Sequence, residues 1–444
     1  MSYIPNSPEV RRQMLDQIGV ADFTDLVKCI SSDVMLDRPL NLPNALSEYE
    51  LEKQLIELAA KNTKIAANFV GAGAYDHFSP SAVDHILLRP EFYTAYTPYQ
   101  AEVSQGTLQV IYEFQSFISR LTSMDVTNAS MYDGATALAE AVMMAIAHTG
   151  RKDVLISQAV NPIYIKVVKG YLAGQKVRIR AIEQLDGATN MSDLKAKLSD
   201  KVAAVVIQSP NFLGQIEKAA EFAEVAKSAG ALFIMGYDPL SLGILSTPGE
   251  CGADIAVAEG QSLGLPLNFG GPYLGLLSTK REFIRRIPGR LAGRTKDKNG
   301  KPGFVLTLQT REQHIRRERA TSNICTNQAL CALAATVYLS LLGKIGLEKV
   351  SHLCLSKAHY AASKITSIPG FTLKFKGAFF KEFVIEGPAA AGTLITRLAK
   401  KGIVPGVDLG GFGLGLRGAL MVAVTEKRSK EEIDRLAAEL SAAV

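Results

Sequence analysis

Gly260-Gln261-Ser262-Leu263-Gly264-Leu265-Pro266-Leu267-Asn268-Phe269-Gly270-Gly271-Pro272 separates two short apolar runs, Ile255-Ala256-Val257 and Tyr273 to Leu277. Glycine and proline punctuate it throughout, which predicts a loop between two strands. Its first residues match GxSxG, but a nucleophile elbow needs a helix directly after the serine. Leu265-Pro266 and then Gly270-Gly271-Pro272 supply none. Gly270, Gly271 and Pro272 predict a tight turn with positive φ. The loop contains no lysine, and none occurs between Lys227 and Lys280.

Outward from this loop, β-branched runs alternate with helical stretches. Candidate strands are Val154–Ile156, Val177–Ile179, Ala203–Ile207, Leu232–Ile234, Ile255–Val257 and Tyr273–Leu277, with helices such as Met191–Leu198 and Lys218–Ser228 between them. This rhythm predicts a mostly parallel sheet covered on both faces, an α/β domain over residues 63–330. Residues 1–62 predict a helical arm. Ser7-Pro8-Glu9 opens one helix, Ser47-x-x-Glu50 is a capping box for a second, and Arg38 to Pro43 is an extended linker. The arm holds too little apolar surface to stand alone. Residues 331–444 predict a smaller C-terminal α+β domain. A long apolar helix passes through Ala335 and Leu341, strands follow at Lys381–Ile385 and Leu420–Val424, and a helix capped by Ser429 and Glu432 closes the chain. Asp297 to Gly303 is a polar turn of hairpin type.

Bulk properties exclude several classes. The 444 residues carry a formal charge of +6 and are 47% hydrophobic, a globular composition without a nucleic-acid tract. Arg285-Arg286 and Arg316-Arg317 with Arg319 are local clusters only. No apolar run reaches the roughly 18 residues of a membrane span, and Ala329–Leu342 predicts a buried helix. Met1-Ser-Tyr-Ile-Pro lacks the basic and apolar regions of an export signal. Cys29, Cys251, Cys325, Cys331 and Cys354 show no metal-ligand spacing, so no metal and a cytoplasmic location with reduced thiols are expected. Gly413-Leu-Gly415-Leu-Arg-Gly418 matches GxGxxG, but the β-like run Leu420–Val424 follows where a dinucleotide site needs a helix. Asp133-Gly134-Ala135-Thr136 precedes an apolar helix, a start that either caps the helix or cradles a phosphate.

Four segments carry a more specific signal: Gly71-Ala-Gly-Ala-Tyr-Asp-His77 with Tyr96-Thr-Pro-Tyr-Gln-Ala-Glu102; Ile207-Gln-Ser-Pro-Asn-Phe212; Gly249-Glu-Cys-Gly-Ala-Asp254 running into the 260–272 loop; and the block from Lys301 to Asn327. Together they resemble the P-protein family of the glycine cleavage system, specifically its N-terminal-half chains, called subunit 1 where the protein is split. The resemblance covers nearly the whole sequence. It implies a PLP-dependent transferase fold of type I, like that of aspartate aminotransferase. It also implies membership of a glycine dehydrogenase (aminomethyl-transferring), an oxidoreductase that decarboxylates glycine and passes the aminomethyl group to the lipoyl arm of the H-protein. In such systems PLP is bound by the partner beta subunit, and the assembly is an alpha2beta2 tetramer in which this chain is alpha and is inactive alone.

The resemblance gives the missing lysine a meaning. Gln261, five residues before Pro266, stands where a Schiff-base lysine is expected, and a glutamine amide forms no imine. Asp238 resembles the aspartate that pairs with the pyridine nitrogen, here with no ring to pair with. Asn161 stands where relatives often stack a histidine, and Arg319 where they often carry lysine. Asp238, Asn161, Gly270 and Gly271 are thus expected to be vestiges of a cofactor site. Tyr96, Tyr99, His77, His314, Thr321, Ser322 and Asn323 are candidates for reaching the partner's active site, each with a structural alternative in loop packing or an ion network. Two other readings stand beside this one. The first is a purely structural assembly subunit, and the second a stand-alone PLP lyase or transferase using a displaced lysine such as Lys280.

Overall fold

The computed structural model describes residues 6–268, 270–320 and 322–443. The chain divides into two compact units, one ending at Thr63 and one beginning at Lys64.

The first unit contains helices Pro8–Ile18, Phe23–Leu26 and Glu48–Ala59. Ser7 Oγ accepts from the Val10 amide and Gly19 ends the first helix at φ 85°. Ser47 and Glu50 form a reciprocal capping box. Residues 38–43 have no regular secondary structure. None of the residues in these three helices is buried, so local capping, and no core of its own, defines this unit.

The second unit is built on a seven-stranded sheet. In spatial order its strands are Val126–Thr127, Gly275–Thr279, Ile255–Glu259, Leu232–Tyr237, Val202–Ser209, Asp153–Ser157 and Arg178–Ile182. The last five are mutually parallel. Gly275–Thr279 runs antiparallel to both of its neighbours. Alternation along each strand buries both faces. Val154, Ile156, Val206 and Ile234 pack with helices Gly134–Thr149 and Pro162–Leu172. Leu155, Val205, Ile207 and Phe233 face the opposite side, against Phe222, Ala223 and Ala226 of helix Ala219–Ser228.

Residues 291–296 and 302–307 form an antiparallel hairpin whose turn is Asp297–Gly300. The apolar stretch after Ala329 is the first half of a helix reaching Thr366, interrupted at Gly343 (φ 58°, ψ −172°). One 18-residue window of it is apolar enough to cross a membrane by composition. In the fold it is a core helix: Ala332, Ala335 and Tyr338 are buried with Tyr237, Leu240 and Leu263. A second sheet, of order Thr372–Leu373, Glu382–Glu386, Leu420–Ala423, Val407–Asp408, is wholly antiparallel. Ala358, Ile365, Leu394, Leu398, Leu436 and Leu440 close over it. Ser429 and Glu432 form the expected capping box.

Several strand starts shift by one or two residues from the sequence reading, and two of these shifts bear on the site. The run expected from Tyr273 begins at Gly275, where a Cβ would meet Met131 and Asp133 and only glycine lets the chains approach. The run expected from Lys381 begins at Glu382, leaving Lys381 just outside the ladder.

Candidate functional site

The parallel strands end side by side, and the residues just beyond them define a cleft where open α/β sheets commonly bind ligands. Gln208 and Gly236 are in register, as are Tyr237 and Ala258. The chain then turns into Asp238, Glu259 and Gln261. Tyr75, Tyr164, Lys381 and Glu382 complete the lining.

Gln261 is buried and fully bonded. Its Oε1 accepts from the Tyr75 amide at 2.9 Å, and its Nε2 donates to the carbonyls of Tyr75 at 3.0 Å and Leu265 at 2.9 Å. Such a contact needs a donor and an acceptor in one side chain, which an amide has and a lysine lacks. Among the described residues of the surrounding loop no helix follows Ser262, and Gly270 and Gly271 adopt φ 105° and 86°.

Asp238 follows strand Leu232–Tyr237 and caps a short 3-10 turn, accepting from the Leu240 amide at 3.0 Å. Its other oxygen lies 2.6 Å from Nζ of Lys381. That ammonium also lies 3.0 Å from Nε2 of His77 and 3.6 Å from the centroid of the Tyr75 ring, a cation–π geometry. His77 Nδ1 is 2.6 Å from Glu426. Nδ1 therefore donates to the carboxylate and Nε2 accepts from the ammonium. Burial, with the Lys381 charge added to it, pushes the imidazole below its ordinary value and keeps it neutral. Burial alone would raise Glu426, but the bonds from His77 and the Phe78 amide hold it below its ordinary value. Cys354 Sγ adjoins Glu426 at 3.5 Å, so His77, Cys354 and Glu426 bring three ligand-type atoms together. The ammonium bound to Nε2 fixes this cluster as a support for Lys381, since a metal on Nδ1 would place an N–H on Nε2 against that cation.

Glu382 accepts from the Ala72 amide and the Tyr75 hydroxyl, each at 2.7 Å, and burial raises it to about 7. Helix Gly134–Thr149 starts with an Asp133–Thr136 capping box. The Gly134 amide donates to Oε2 of Glu259 at 2.9 Å, and Oε1 of the same carboxyl accepts from Gln261 and Leu274 amides at 3.0 Å each. Burial pushes Glu259 up to about 8 against these three donors. A Cβ on Gly134 would lie 2.6 Å from the Tyr164 hydroxyl.

Asn161 caps helix Pro162–Leu172. Its Oδ1 accepts from Ile163 at 3.0 Å and its Nδ2 donates to Ala72 O at 3.1 Å. The remaining candidates are dispersed. His77 is buried in the cleft as described. Tyr96 is 81% exposed beside a groove formed with Pro98, Ile111, Asn327 and Leu330. Tyr99 is exposed as well, with the Arg290 guanidinium 5.5 Å over its ring. Arg290 Nε lies 3.9 Å and His314 Nδ1 3.6 Å from Glu312, so His314 joins an ion network at the base of the 301–327 block. Ser322 Oγ accepts from the Ile324 amide and lies near the buried Glu140, and Asn323 lines a hollow beside Glu140. Thr321 lies outside the described residues. Lys280 pairs with Asp254 at the end of strand Gly275–Thr279 opposite Glu259, roughly 15 Å along the strand from the cleft. Sequence reasoning missed Lys381, Glu259, Tyr75 and Glu426. One signal existed for Lys381-Glu382: two charges interrupting the apolar run Phe379–Ile385.

The central, mostly parallel sheet with one antiparallel strand next to its edge and the small C-terminal sheet define the fold of PLP-dependent type I enzymes. Two such enzymes share it at low identity: a sphingosine-1-phosphate lyase of Burkholderia pseudomallei (TM-score 0.68, 12% identity, 92% of each chain) and a glutamate decarboxylase of Lactobacillus brevis (TM-score 0.68, 14%, covering 93% of this chain and 95% of the other). The chain belongs to the glycine cleavage system P-protein family, whose sequence model matches residues 1–440. It is 52% identical over 99% of its length to a probable glycine dehydrogenase (decarboxylating) subunit 1 of Moorella thermoacetica, covering 98% of that protein. It is 53% identical to the corresponding protein of Chlorobium limicola over the whole of both chains. A crystal structure of glycine decarboxylase (P-protein) in inhibitor-bound form superposes with TM-score 0.91 at 42% identity over both full chains.

Proposed function

We propose that this chain is the alpha subunit of a two-chain glycine decarboxylase, working in the cytoplasm in an alpha2beta2 assembly whose beta subunit binds PLP. The beta subunit supplies the Schiff-base lysine. The complex decarboxylates glycine and transfers the aminomethyl group to the lipoylated H-protein. The observation that carries this reading is Gln261: its amide is held by three hydrogen bonds at the position where the family resemblance calls for an amine. The residues present do not fit PLP. There is no amine at 261, Asp238 is already paired with Lys381, and the Gly134 amide is already bonded to Glu259. No step of the reaction runs through this cleft.

The chain's contribution is instead to complete the partner's site. Tyr96, exposed at the mouth of its groove, and Tyr99, His314, Ser322 and Asn323 on the same 96–327 framework are the groups available for that role. Such groups bind and orient substrate or exclude water, and the chemistry that accepts electrons from departing CO2 belongs to the cofactor. The stand-alone reading is disfavoured because Lys280 is remote from the cleft. The test is reconstitution. The chain alone is expected to show no glycine–bicarbonate exchange, and mixing with subunit 2 raises exchange well above subunit 2 alone. Tyr96→Phe and His314→Ala then lower turnover while the assembly persists by size-exclusion chromatography. Unchanged turnover in both variants would convert the chain to a purely structural subunit.

A further inference from the structure

The cleft holds two features that would anchor a phosphorylated pyridine: an aspartate at a strand end and an amide-lined helix start. Both are engaged by side chains of the chain itself. We infer that Lys381 and Glu259 are built-in substitutes for the cofactor, with Lys381 in the place of the ring nitrogen and Glu259 on the donors of the phosphate. Restoring a lysine at 261 alone therefore does not restore cofactor binding. This rests on the reading above that PLP belongs to the partner, and deepens it.

Three observations carry the inference. The Lys381 ammonium meets Asp238 at 2.6 Å, which is where a protonated ring nitrogen would need to be. It is held there from two further sides by His77 and the Tyr75 face, and Glu426 fixes the His77 tautomer behind it. This is a supported site for a cation and not a chance surface contact, since the Lys381 side chain is 2% exposed. At the other end, Glu259 takes the Gly134 amide and the amides of Gln261 and Leu274. A phosphate at the helix start would have to displace from the Gly134 amide a buried carboxyl that the Gln261 and Leu274 amides hold in place through its other oxygen, and at high pH it would meet like charge. Tyr164, whose hydroxyl lies where a Cβ on Gly134 would meet it, narrows the space over the helix start.

The experiment uses the full-length chain with PLP, borohydride reduction and mapping of the pyridoxyl group by mass spectrometry. Amine and aldehyde condense with loss of water, and reduction fixes the product. Stoichiometric labelling of the wild-type chain at a lysine lining the cleft would end the reading of the chain as cofactor-free. In Gln261→Lys, labelling at position 261 is expected to stay at the background level of surface lysines. Full labelling there would overturn the present inference while leaving the cofactor-free reading of the natural chain intact. Combining Gln261→Lys with Lys381→Ala and Glu259→Ala is expected to raise labelling at 261 at least tenfold, and labelling equal to the single variant would count against it. An independent arm needs no triple variant. The melting temperature of Lys381→Ala should rise with added 3-hydroxypyridine, a ring without aldehyde or phosphate, while the wild type does not respond. An equal response of the two, including none, overturns the assignment of Lys381 to the ring-nitrogen position.

Discussion

Nζ of Lys381 and Oδ2 of Asp238 meet at 2.6 Å with side-chain exposures of 2% and 12%, joining the residue before strand Glu382–Glu386 of the small sheet to the residue after a central strand of the large one. A buried pair of this kind is costly to break from one side, because the surviving charge keeps its desolvation cost without its partner. Lys381→Met is expected to destabilise the second unit by about 3–5 kcal/mol. Asp238→Asn in the same background should recover part of that loss. A double-mutant cycle in urea checks this, and additive losses would show that the two charges are not coupled.

Gln261 tests the same cleft by chemistry without volume change. Gln261→Glu keeps the acceptor for the Tyr75 amide but sets a carboxylate against the carbonyls of Tyr75 and Leu265, which now receive the amide's donors. A Leu265 carbonyl without a donor, a Tyr75 carbonyl left with the His77 amide alone and one buried anion predict a loss of about 2–4 kcal/mol. Gln261→Met, which removes donors and acceptor together, should cost less. Chemical denaturation of the two variants gives the ranking.

Gly134 is constrained by space. In Gly134→Ala the new methyl would fall 2.6 Å from the Tyr164 hydroxyl and 2.8 Å from the Glu259 backbone nitrogen. The backbone atom cannot rotate away, so a loss of about 1–3 kcal/mol is expected even though alanine is the better helix former. A melting temperature equal to or above wild type would contradict the crowding.

Stability should fall as pH rises through neutrality. Burial raises Glu140 to about 7 from 4.5, opposed only by the nearby Ser322 hydroxyl, so the folded chain holds a proton that the unfolded chain has released. The stabilising contribution is complete below about 4.5 and is lost as pH climbs through about 7. Glu382, at about 7, and Glu259, at about 8, act in the same direction. Thermal melts between pH 6 and 9 should therefore slope downward. Glu140→Gln, which keeps the shape and cannot ionise, should flatten the slope by up to about 3 kcal/mol of pH-dependent stability. An unchanged slope would place the proton elsewhere.

The strand rhythm made the large sheet readable, because strands buried on both faces are continuous apolar runs: Val202–Ser209 and Leu232–Tyr237 differ from their sequence readings only at their ends. The capping boxes at Ser47 and Ser429 were equally legible, since each rests on two residues three apart. In the cleft, Gln261 and Asp238 are singled out by the family resemblance. Their partners are not. Lys381 reaches Asp238 across the two sheets, and Tyr75 reaches Gln261 from a loop with no periodicity of its own. Such pairings are products of the tertiary fold. Asp238 is expected from the sequence to have no ring to pair with, and that expectation names no other partner, although burial of a carboxylate demands a counter-charge from somewhere. His77 was read among the residues directed toward a neighbour, and the fold places it behind Lys381.

The bridge between Lys381 and Asp238 also bears on how the chain responds to its surroundings. A fold whose cleft is held together by a bound small molecule gains stability only in proportion to the logarithm of that molecule's free concentration, and loses it when the supply falls. An ammonium tethered to the same polypeptide is present at a fixed local concentration from the moment the chain folds. On the proposed reading, in which the partner binds the cofactor, folding and persistence of this chain would not depend on the cofactor's supply.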